Sequence, residues 1–580
     1  MFRTLSPVSH AADDGCGFYR DVGVTPGRTW SHAMSIAGTT LGSGAIPGTA
    51  GAIGLMPAPA VANTEKSVWA SMPLSERLEW VARFRQLVAF HQPRLCELIC
   101  EETKKPAHEA LLTDVAPLMA ACKWMESNAT RLLRDRELSD APFWMSGTRM
   151  IERRVPVGKV GIIATWNYPV QLLGIQLVHA LAAGNTVVVK PSERTPRTQT
   201  RLLEIAMEAG LPMNTLTWVG ATREAGQNML STQRFDHVIF TGSTETGQKV
   251  AQQLAKTFTP GTLELSGRDS VFVLEDANVK LAAKAVWAAV NVNAGQTCMG
   301  PRRVLVLDKA YDKFCEHLAK FAATAKAVDL IDEKSATLCK ELTSRAIAKG
   351  AWDAAMVHGD KAQPRHVEGD GTVADEMISR RFRPTALLHC QAGMEVVEGR
   401  HFGPLIAIVR CVNLEDALNI HRRCDQHLTA SVFTRDVRSG QLLADRLGAT
   451  NVMINDIIMP SCHPAAAIGG RGPSGVGFSR GEEGLLGLTR PMYVSVGKAG
   501  IAKMIKPLPA WQLNFLSKFL RWWYGAGKVP GMMAARAQAA SEVNGVPVLL
   551  APDRELPLVD EPNGGKPIVH SNQAFSAKAG

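Results

Sequence analysis

From residue 157 onward the chain alternates short β-branched runs with stretches of helical spacing. "VGKVGIIATW" is followed by "QLLGIQLVHALAAG", "NTVVVKPSE" by "TRLLEIAMEAGLP", and "TLTWVG" and "HVIFTGS" continue the series. Continuous apolar runs are what strands buried on both faces require, and the intervening helices supply the cover. This order constrains the region to an α/β fold with a mostly parallel sheet. The pattern restarts at "LELSGRDSVFVLEDAN" and runs through "RRVLVLD", "PTALLHC", "FGPLIAIVRCV", "ASVFTRD" and "NVMIND", which predicts a second α/β unit. No internal repeat is evident. From Ser67 to Leu133 the apolar residues instead recur every three or four positions with charges between them, a helical pattern.

A chain of 580 residues exceeds what one hydrophobic core supports, so two or more domains are expected. Its 46% apolar and 20% charged residues are those of a globular protein. The net charge of +10 suits anionic ligands or an anionic membrane surface, and the absence of a long Lys/Arg run argues against nucleic acid. Eleven cysteines are scattered without a repeating spacing. Cys96 and Cys100 are four apart with no second ligand pair nearby, so no metal site is expected. The plain reading is reduced thiols in a reducing compartment, hence a cytoplasmic protein. Residues 1–64 form a separate low-complexity extension: Trp30 to Thr64 carry no Asp, Glu, Lys or Arg, and "LGSGAIPGTAGAIGLMPAPAVA" is rich in Gly, Ala and Pro. That composition predicts a disordered or loosely packed segment better than a signal peptide or a spanning helix.

Several short stretches carry chemistry. In "GQTCMGPRR", Cys298 stands after a glycine bend, between an apolar helix and a strand. A free thiol titrates near ~8.5, so it needs a base or a positive field to act as a nucleophile at neutral pH. Glu264 in "TLELSGRD" could be that base, and the Asn167 amide in "TWNYP" could hold an oxyanion. Taken singly, each is better read as a core thiol, a surface carboxylate or a turn asparagine. "VIFTGSTETGQKVAQQLA" places Gly242 and Ser243 between a strand and a helix, where a helix N-terminus can receive phosphate, although the spacing is not G-x-G-x-x-G and an ordinary turn fits too. Lys190 and Glu193 close the "VVVKPSE" strand, at the sheet end where ligands bind in open α/β folds; alone they also read as a solvated pair.

As an ordered set, "TWNYP", "KPSERTP", "FTGSTETG", "LELSG", "GQTC" and "FGP" resemble the aldehyde dehydrogenase superfamily, over about residues 65–500. The short start before the helices is most similar to the branch with fatty and aromatic aldehyde dehydrogenases. The resemblance implies a Rossmann-like cofactor domain (65–262, with an oligomerisation β-arm at about 140–157), an α/β catalytic domain (263–455), and a return to the cofactor domain with an oligomerisation strand (456–500). It implies oxidation of an aldehyde to an acid with NAD, with Cys298 as nucleophile, Asn167 and the Cys298 N–H holding the oxyanion, and Glu264 activating water on the thioester. Trp166, Lys190, Glu193, Gly220, Gly242, Ser243 and Phe402 would line the cofactor, and the anionic Glu193 favours NAD over NADP. A homodimer or homotetramer is implied as well. Two other functions are weighed: a cofactor-binding scaffold with little catalysis, and an acylating enzyme using coenzyme A, against which Glu264 argues.

The sequence departs from the family at "VEGRHFGPL", where Arg400 occupies the position of the glutamate in E-x-F-G-P; Glu398 lies two residues early and could enter only through a sharp turn. Ile468 replaces an aromatic residue, and residues 333–382 match poorly. Beyond the family core, residues 501–580 include a basic amphipathic segment, 503–528, with Trp511, Trp522 and Trp523 among lysines and arginine. A helix over 511–524 would be about 21 Å long at ~1.5 Å per residue, too short to span a bilayer but suited to lying in a membrane surface. Packing on the protein body or on a partner subunit is the alternative. Residues 555–580 are expected to be disordered.

Overall fold

The computed structural model describes residues 67–145, 147–357, 379–497 and 507–525. The expectations for the N-terminal extension and for residues 555–580 lie outside the described residues.

The helical start is an α-layer. Leu74–Phe90 buries Trp80, Val81, Phe84 and Val88, the spacing of one helix face. The next helices are Gln92–Thr103 and, after a π-helical turn at Ala110–Val115, Ala116–Leu133. They cover the helix Gln171–Ala182, every residue of which is buried because it lies between this layer and a sheet. Trp69 and Trp80 fill the seam, and each donates its indole N–H to a carbonyl, of Leu181 at 2.8 Å and Ala206 at 3.1 Å.

The first sheet has six strands in the order Gly475–Val476, Gly261–Leu265, His237–Gly242, Lys159–Ile163, Thr186–Lys190 and Leu216–Trp218. All neighbours are parallel except the Gly475–Val476 strand. The second has seven strands, with the thiol-bearing segment's Pro301–Leu307 at its centre between Asp269–Val273 and Leu405–Cys411. The crossing between the sheets differs from the expected 262/263 boundary. Gly261–Leu265, with Glu264, still belongs to the first sheet, and the chain leaves it at Ser266–Arg268. The parallel-strand pattern is alike on both sides of that point, so periodicity alone did not locate it.

Arg149–Pro156 pairs antiparallel with Thr489–Val496 and with Arg136–Leu138, forming a three-stranded arm. Thr489–Val496 is an edge strand, exposed over all but its first residue. Of the poorly matching stretch 333–382, the described part holds the helix Glu333–Ala348 and two short strands, Trp352–Asp353 and Arg381–Phe382. No helix among the described residues is long and apolar enough to cross a membrane.

One buried ion pair links the α-layer to the site. The π-turn carries Asp114, whose carboxylate binds Lys105 Nζ at 2.5 Å and accepts the Val170 and Gln171 N–H groups at 3.2 and 3.4 Å, at the start of the Gln171–Ala182 helix. Lys105 also donates to the Asn167 carbonyl at 3.1 Å and sits 4.1 Å from the Tyr168 ring centre. Both side chains are fully buried. Removing one partner leaves the other charge stranded, which costs ~3–5 kcal/mol. Asp114→Asn should therefore lower the unfolding free energy in urea by about that amount, and a Lys105→Met/Asp114→Leu double variant should lose less than the single variant.

Candidate active site

The helix Val279–Asn291 ends in a bend where Asn293, Ala294 and Gly295 take φ values of 50°, 51° and 67°. Three successive left-handed residues reverse the chain and start the loop to Cys298. Gly295 has no alternative: a Cβ there would sit 2.6 Å from the backbone of Gly403 and Pro404. The "GQTC" and "FGP" stretches are thus in backbone contact. Arg302, itself buried, locks them together by donating to the carbonyls of Gly295 (3.0 Å), Thr297 (2.7 Å) and Gly403 (3.2 Å), with its guanidinium 5.4 Å from the Phe402 ring centre.

The "TWNYP" loop closes on the same segment. Asn167 Nδ2 donates to the Gln296 carbonyl at 3.1 Å, and Tyr168 and Thr297 share a hydroxyl–hydroxyl bond of 2.6 Å. Asn293 Nδ2 donates back to the Asn167 carbonyl at 2.9 Å. The Asn167 amide is thereby fixed two residues from the thiol with one N–H bond used and one left to offer. The Cys298 N–H has no acceptor among the described residues. Glu264 comes in from the first sheet, where it pairs with Gly475. A Cβ at Gly475 would lie 1.9 Å from the Leu263 carbonyl oxygen, so only glycine permits that pairing.

These groups are electrostatically coupled. Burial, then the Glu264 and Asp269 carboxylates, push the Cys298 thiol up to about 12; the Arg480 cation and the Met299 N–H oppose them. Burial pushes Glu264 up to about 7, and its Oε1 has no hydrogen-bond partner. The resting sulfur is therefore a thiol, beside a carboxyl that can take a proton near neutral pH.

The expected cofactor residues meet along one edge. Ser243, Trp166, Lys190 with Glu193, and Gly220 follow the carboxyl ends of four adjacent parallel strands. Lys190 Nζ and Glu193 form an ion pair at 2.7 Å. Burial works to raise the Glu193 carboxyl, but the Lys190 cation, the Glu193 N–H and the Arg223 charge together outweigh it and hold the group below the usual carboxylate range. Ser243 caps the helix Thr244–Ala255 by accepting the Thr246 N–H at 3.3 Å. A helix N-terminus for phosphate and a polar pair for ribose hydroxyls fit a dinucleotide. Trp166 meets Phe402 edge-on, ring centres 5.8 Å apart, joining this edge to the thiol side.

A model described as "Aldehyde dehydrogenase family" matches residues 52–494. The chain belongs to the aldehyde dehydrogenase family. It is 31% identical over 437 residues to a 4,4'-diapolycopene aldehyde oxidase of Methylomonas sp, covering 75% of this chain and 80% of the relative. It is 30% identical to the mitochondrial succinate-semialdehyde dehydrogenase of Arabidopsis thaliana, covering 74% and 79%. The structure is similar, with a TM-score of 0.66 and 27% identity over 76% of this chain and 88% of the other, to a Mycobacterium tuberculosis aldehyde dehydrogenase complexed with NAD+. This chain is thus an NAD(P)-dependent aldehyde dehydrogenase.

Two positions of the dehydrogenase depart from the family pattern in different ways. Arg400 is exposed, and Glu398 does not replace the missing glutamate: it accepts the Gly393 N–H at 2.8 Å and pairs with Arg423 at 2.8 Å. Ile468 fills its place, packing with Met299 and Leu428 against Cys298. Sequence reasoning missed Arg302, Asp269, Arg480 and the Lys105–Asp114 pair. "CMGPRR" shows two arginines without saying which is inward, and buried charges leave no periodic signal.

Since Glu264 accepts a proton only as the carboxylate, turnover should rise with pH through about 7. A kcat–pH profile should show that limb in the wild type and lose it in Glu264→Gln, with kcat down about 10²–10⁴-fold.

Proposed function

We propose that the dehydrogenase oxidises an aldehyde to a carboxylic acid through a thioester on Cys298, with NAD as the preferred cofactor. The observation that carries this is a half-buried thiol close enough to a buried carboxyl with an unpartnered oxygen for each to feel the other's charge, with the Asn167 amide tied to the thiol's own loop. The Cys298 proton passes to Glu264, directly or through water, as the sulfur attacks the carbonyl carbon. The Cys298 N–H and the Asn167 amide hold the oxyanion that results. NAD, when bound, supplies the hydride acceptor that leaves a thioester behind. Glu264 gives that first proton up to solvent, then takes one from water as the water oxygen attacks the thioester, and returns it to the departing sulfur to restore the thiol. Lys190 and Glu193 bind the adenosine ribose, and the Glu193 carboxylate repels a 2′-phosphate. Trp166, Gly220, Gly242, Ser243 and Phe402 complete the lining.

The same reading includes a homo-oligomer built through the exposed Thr489–Val496 strand, since its second edge carries no partner strand among the described residues and a free edge of that length is a template for pairing. It also includes a membrane surface. The helix Ala510–Gly525 buries none of its residues, and Trp511, Phe515 and Trp522 are each at least 65% exposed. Asn514, Ser517, Lys518 and Arg521 share one narrow polar face. From residue 501 to 541 there is no acidic residue but six basic ones: Lys503, Lys506, Lys518, Arg521, Lys528 and Arg536. Two copies of such a segment repel each other, whereas an anionic lipid surface attracts both its charge and its tryptophans. Aldehydes dissolved in lipid are the matching substrates, and the Methylomonas relative's name points the same way.

Steady-state assays with NAD and aldehydes from acetaldehyde to long-chain and aromatic should show NADH production that Cys298→Ala abolishes. NAD should exceed NADP in kcat/KM by at least about tenfold, and Arg400→Glu should raise kcat if the family glutamate steadies the cofactor; misplacement by ~1 Å costs about a hundredfold. NAD binding without turnover, unchanged in Cys298→Ala, would point instead to a scaffold. In flotation assays the full chain should bind vesicles containing phosphatidylserine, and a chain ending at residue 500 should not; equal behaviour of the two removes the membrane reading.

A further inference from the structure

Arg480 is an unusual residue to find beside a nucleophile. It is 3% exposed, and its Nε, Nη1 and Nη2 atoms are all buried without a hydrogen-bond partner. Among the described residues, no carboxylate lies within ion-pair distance of it. An arginine cannot shed its proton, so this charge stays in the interior. Burying an unpaired cation costs several kcal/mol, which the fold would not carry without a countercharge nearby. The nitrogens are shut off from solvent, so an external anion is not that countercharge.

The chain brackets Arg480 against the site from two sides. Five residues before it, Gly475 pairs with Glu264. Immediately before it, Ser479 forms a two-way bridge with Ile468, at 2.7 Å in each direction, and Ile468 packs on Met299 and Cys298. Its backbone is held at φ 64°, starting the helix Gly481–Leu486. The charge acts on Glu264, Cys298 and His179.

The other charged and titratable groups around the thiol are accounted for. Asp269 accepts the Leu428 N–H and the Thr429 hydroxyl, each at 2.9 Å. Tyr168 is bonded to Thr297. Arg302 donates from Nη1 and Nη2 to three carbonyls, lies over the Phe402 ring, and has the Asp269 carboxylate as its countercharge. Glu264 and Cys298 together carry one negative charge once Glu264 has lost its proton, either as thiol and carboxylate or as thiolate and acid. Arg480 is the cation left over to balance it.

We propose that Arg480 is a positioning residue for the reaction: its fixed, unpartnered charge holds one negative charge on the Cys298–Glu264 pair, so that the thiol proton can move to Glu264 and the sulfur can attack. The inference rests on the proposed roles of those two residues. Each step conserves charge within the trio: as the proton passes from sulfur to carboxylate the anion moves within the field of the guanidinium, which itself neither gains nor loses a proton.

The test compares wild type with Arg480→Met, which keeps bulk and removes charge, and Arg480→Lys, which keeps charge. Two readouts are taken: the kcat–pH profile, and the rate at which iodoacetamide alkylates Cys298 at pH 8 without aldehyde, followed by mass spectrometry. Arg480→Met should move the rising limb of the profile up by about one pH unit and slow alkylation about tenfold. Arg480→Lys should stay near wild type in both. Arg480→Met should melt close to wild type, since the Cys298–Glu264 pair can keep a proton and shed its charge once the cation is gone. An unmoved limb and unchanged alkylation in a folded Met variant overturn the inference. So does equal impairment of the Lys and Met variants with a lowered melting temperature, which marks a merely structural role. If wild-type Cys298 is itself unreactive and aldehydes are not oxidised, the underlying reading of Cys298 fails instead.

Discussion

The Arg302 guanidinium ties the Gly295–Cys298 loop to the Phe402–Pro404 loop, and the placement of Cys298 against Phe402 follows from that tie. Its three bonds are charge-assisted, each worth ~1.5–3 kcal/mol, and the one to Gly295 serves a carbonyl of the left-handed bend, while the Thr297 and Gly403 carbonyls also accept the Gly300 and Leu405 N–H groups at 3.1 and 2.9 Å. The bend at Asn293–Gly295 is costly for the two non-glycine residues, ~1–3 kcal/mol each, and persists because the surroundings over-determine it. Asn167, Tyr168 and Asn293 add a second set of ties from the first sheet.

Burial then sets the chemistry. A carboxyl shifted from 4.5 to about 7 favours its protonated form in the folded protein. The proton therefore stabilises the fold at low pH, and that contribution is lost as pH rises through about 7, a difference of about 3 kcal/mol for Glu264 alone. Asp269 is displaced in the same direction, to about 7, by burial. The site thus trades stability for two carboxyl groups poised near neutrality, and surrounds them with two buried arginines that keep the total charge near zero.

How much of this was legible in the sequence depends on whether a residue's role is local. The strands and helices of both sheets were, because burial on two faces writes continuous apolar runs. The ends of strands carrying Lys190, Gly242 and Glu264 were, because Gly, Ser and charged residues interrupt those runs abruptly. The sheet crossing at Ser266–Arg268 was not, since strand pattern says nothing about which sheet a strand joins. Gly295 and Gly475 are readable as turn residues, but their actual constraint is a backbone some hundred or two hundred residues away, which no local window contains. The same holds for Arg302 and Arg480: an arginine reads as surface until the fold encloses it.

The arginine at position 400 tests how far the site's parts are independent. The loop that follows it is fixed from below: Gly403 abuts Gly295, and Phe402 lies between Arg302 and Trp166. None of those contacts uses residue 400, whose side chain is exposed, and none uses Glu398, which is engaged with Gly393 and Arg423. His401, next in line, is buried and kept uncharged, first by desolvation and then by the Arg302 charge. An exposed residue 400 therefore leaves the Phe402 wall undisturbed. Cys298, Asn167 and Glu264 are all held from other directions, so on the proposed reading a change at 400 acts on cofactor binding and leaves the reactivity of the thiol as it is.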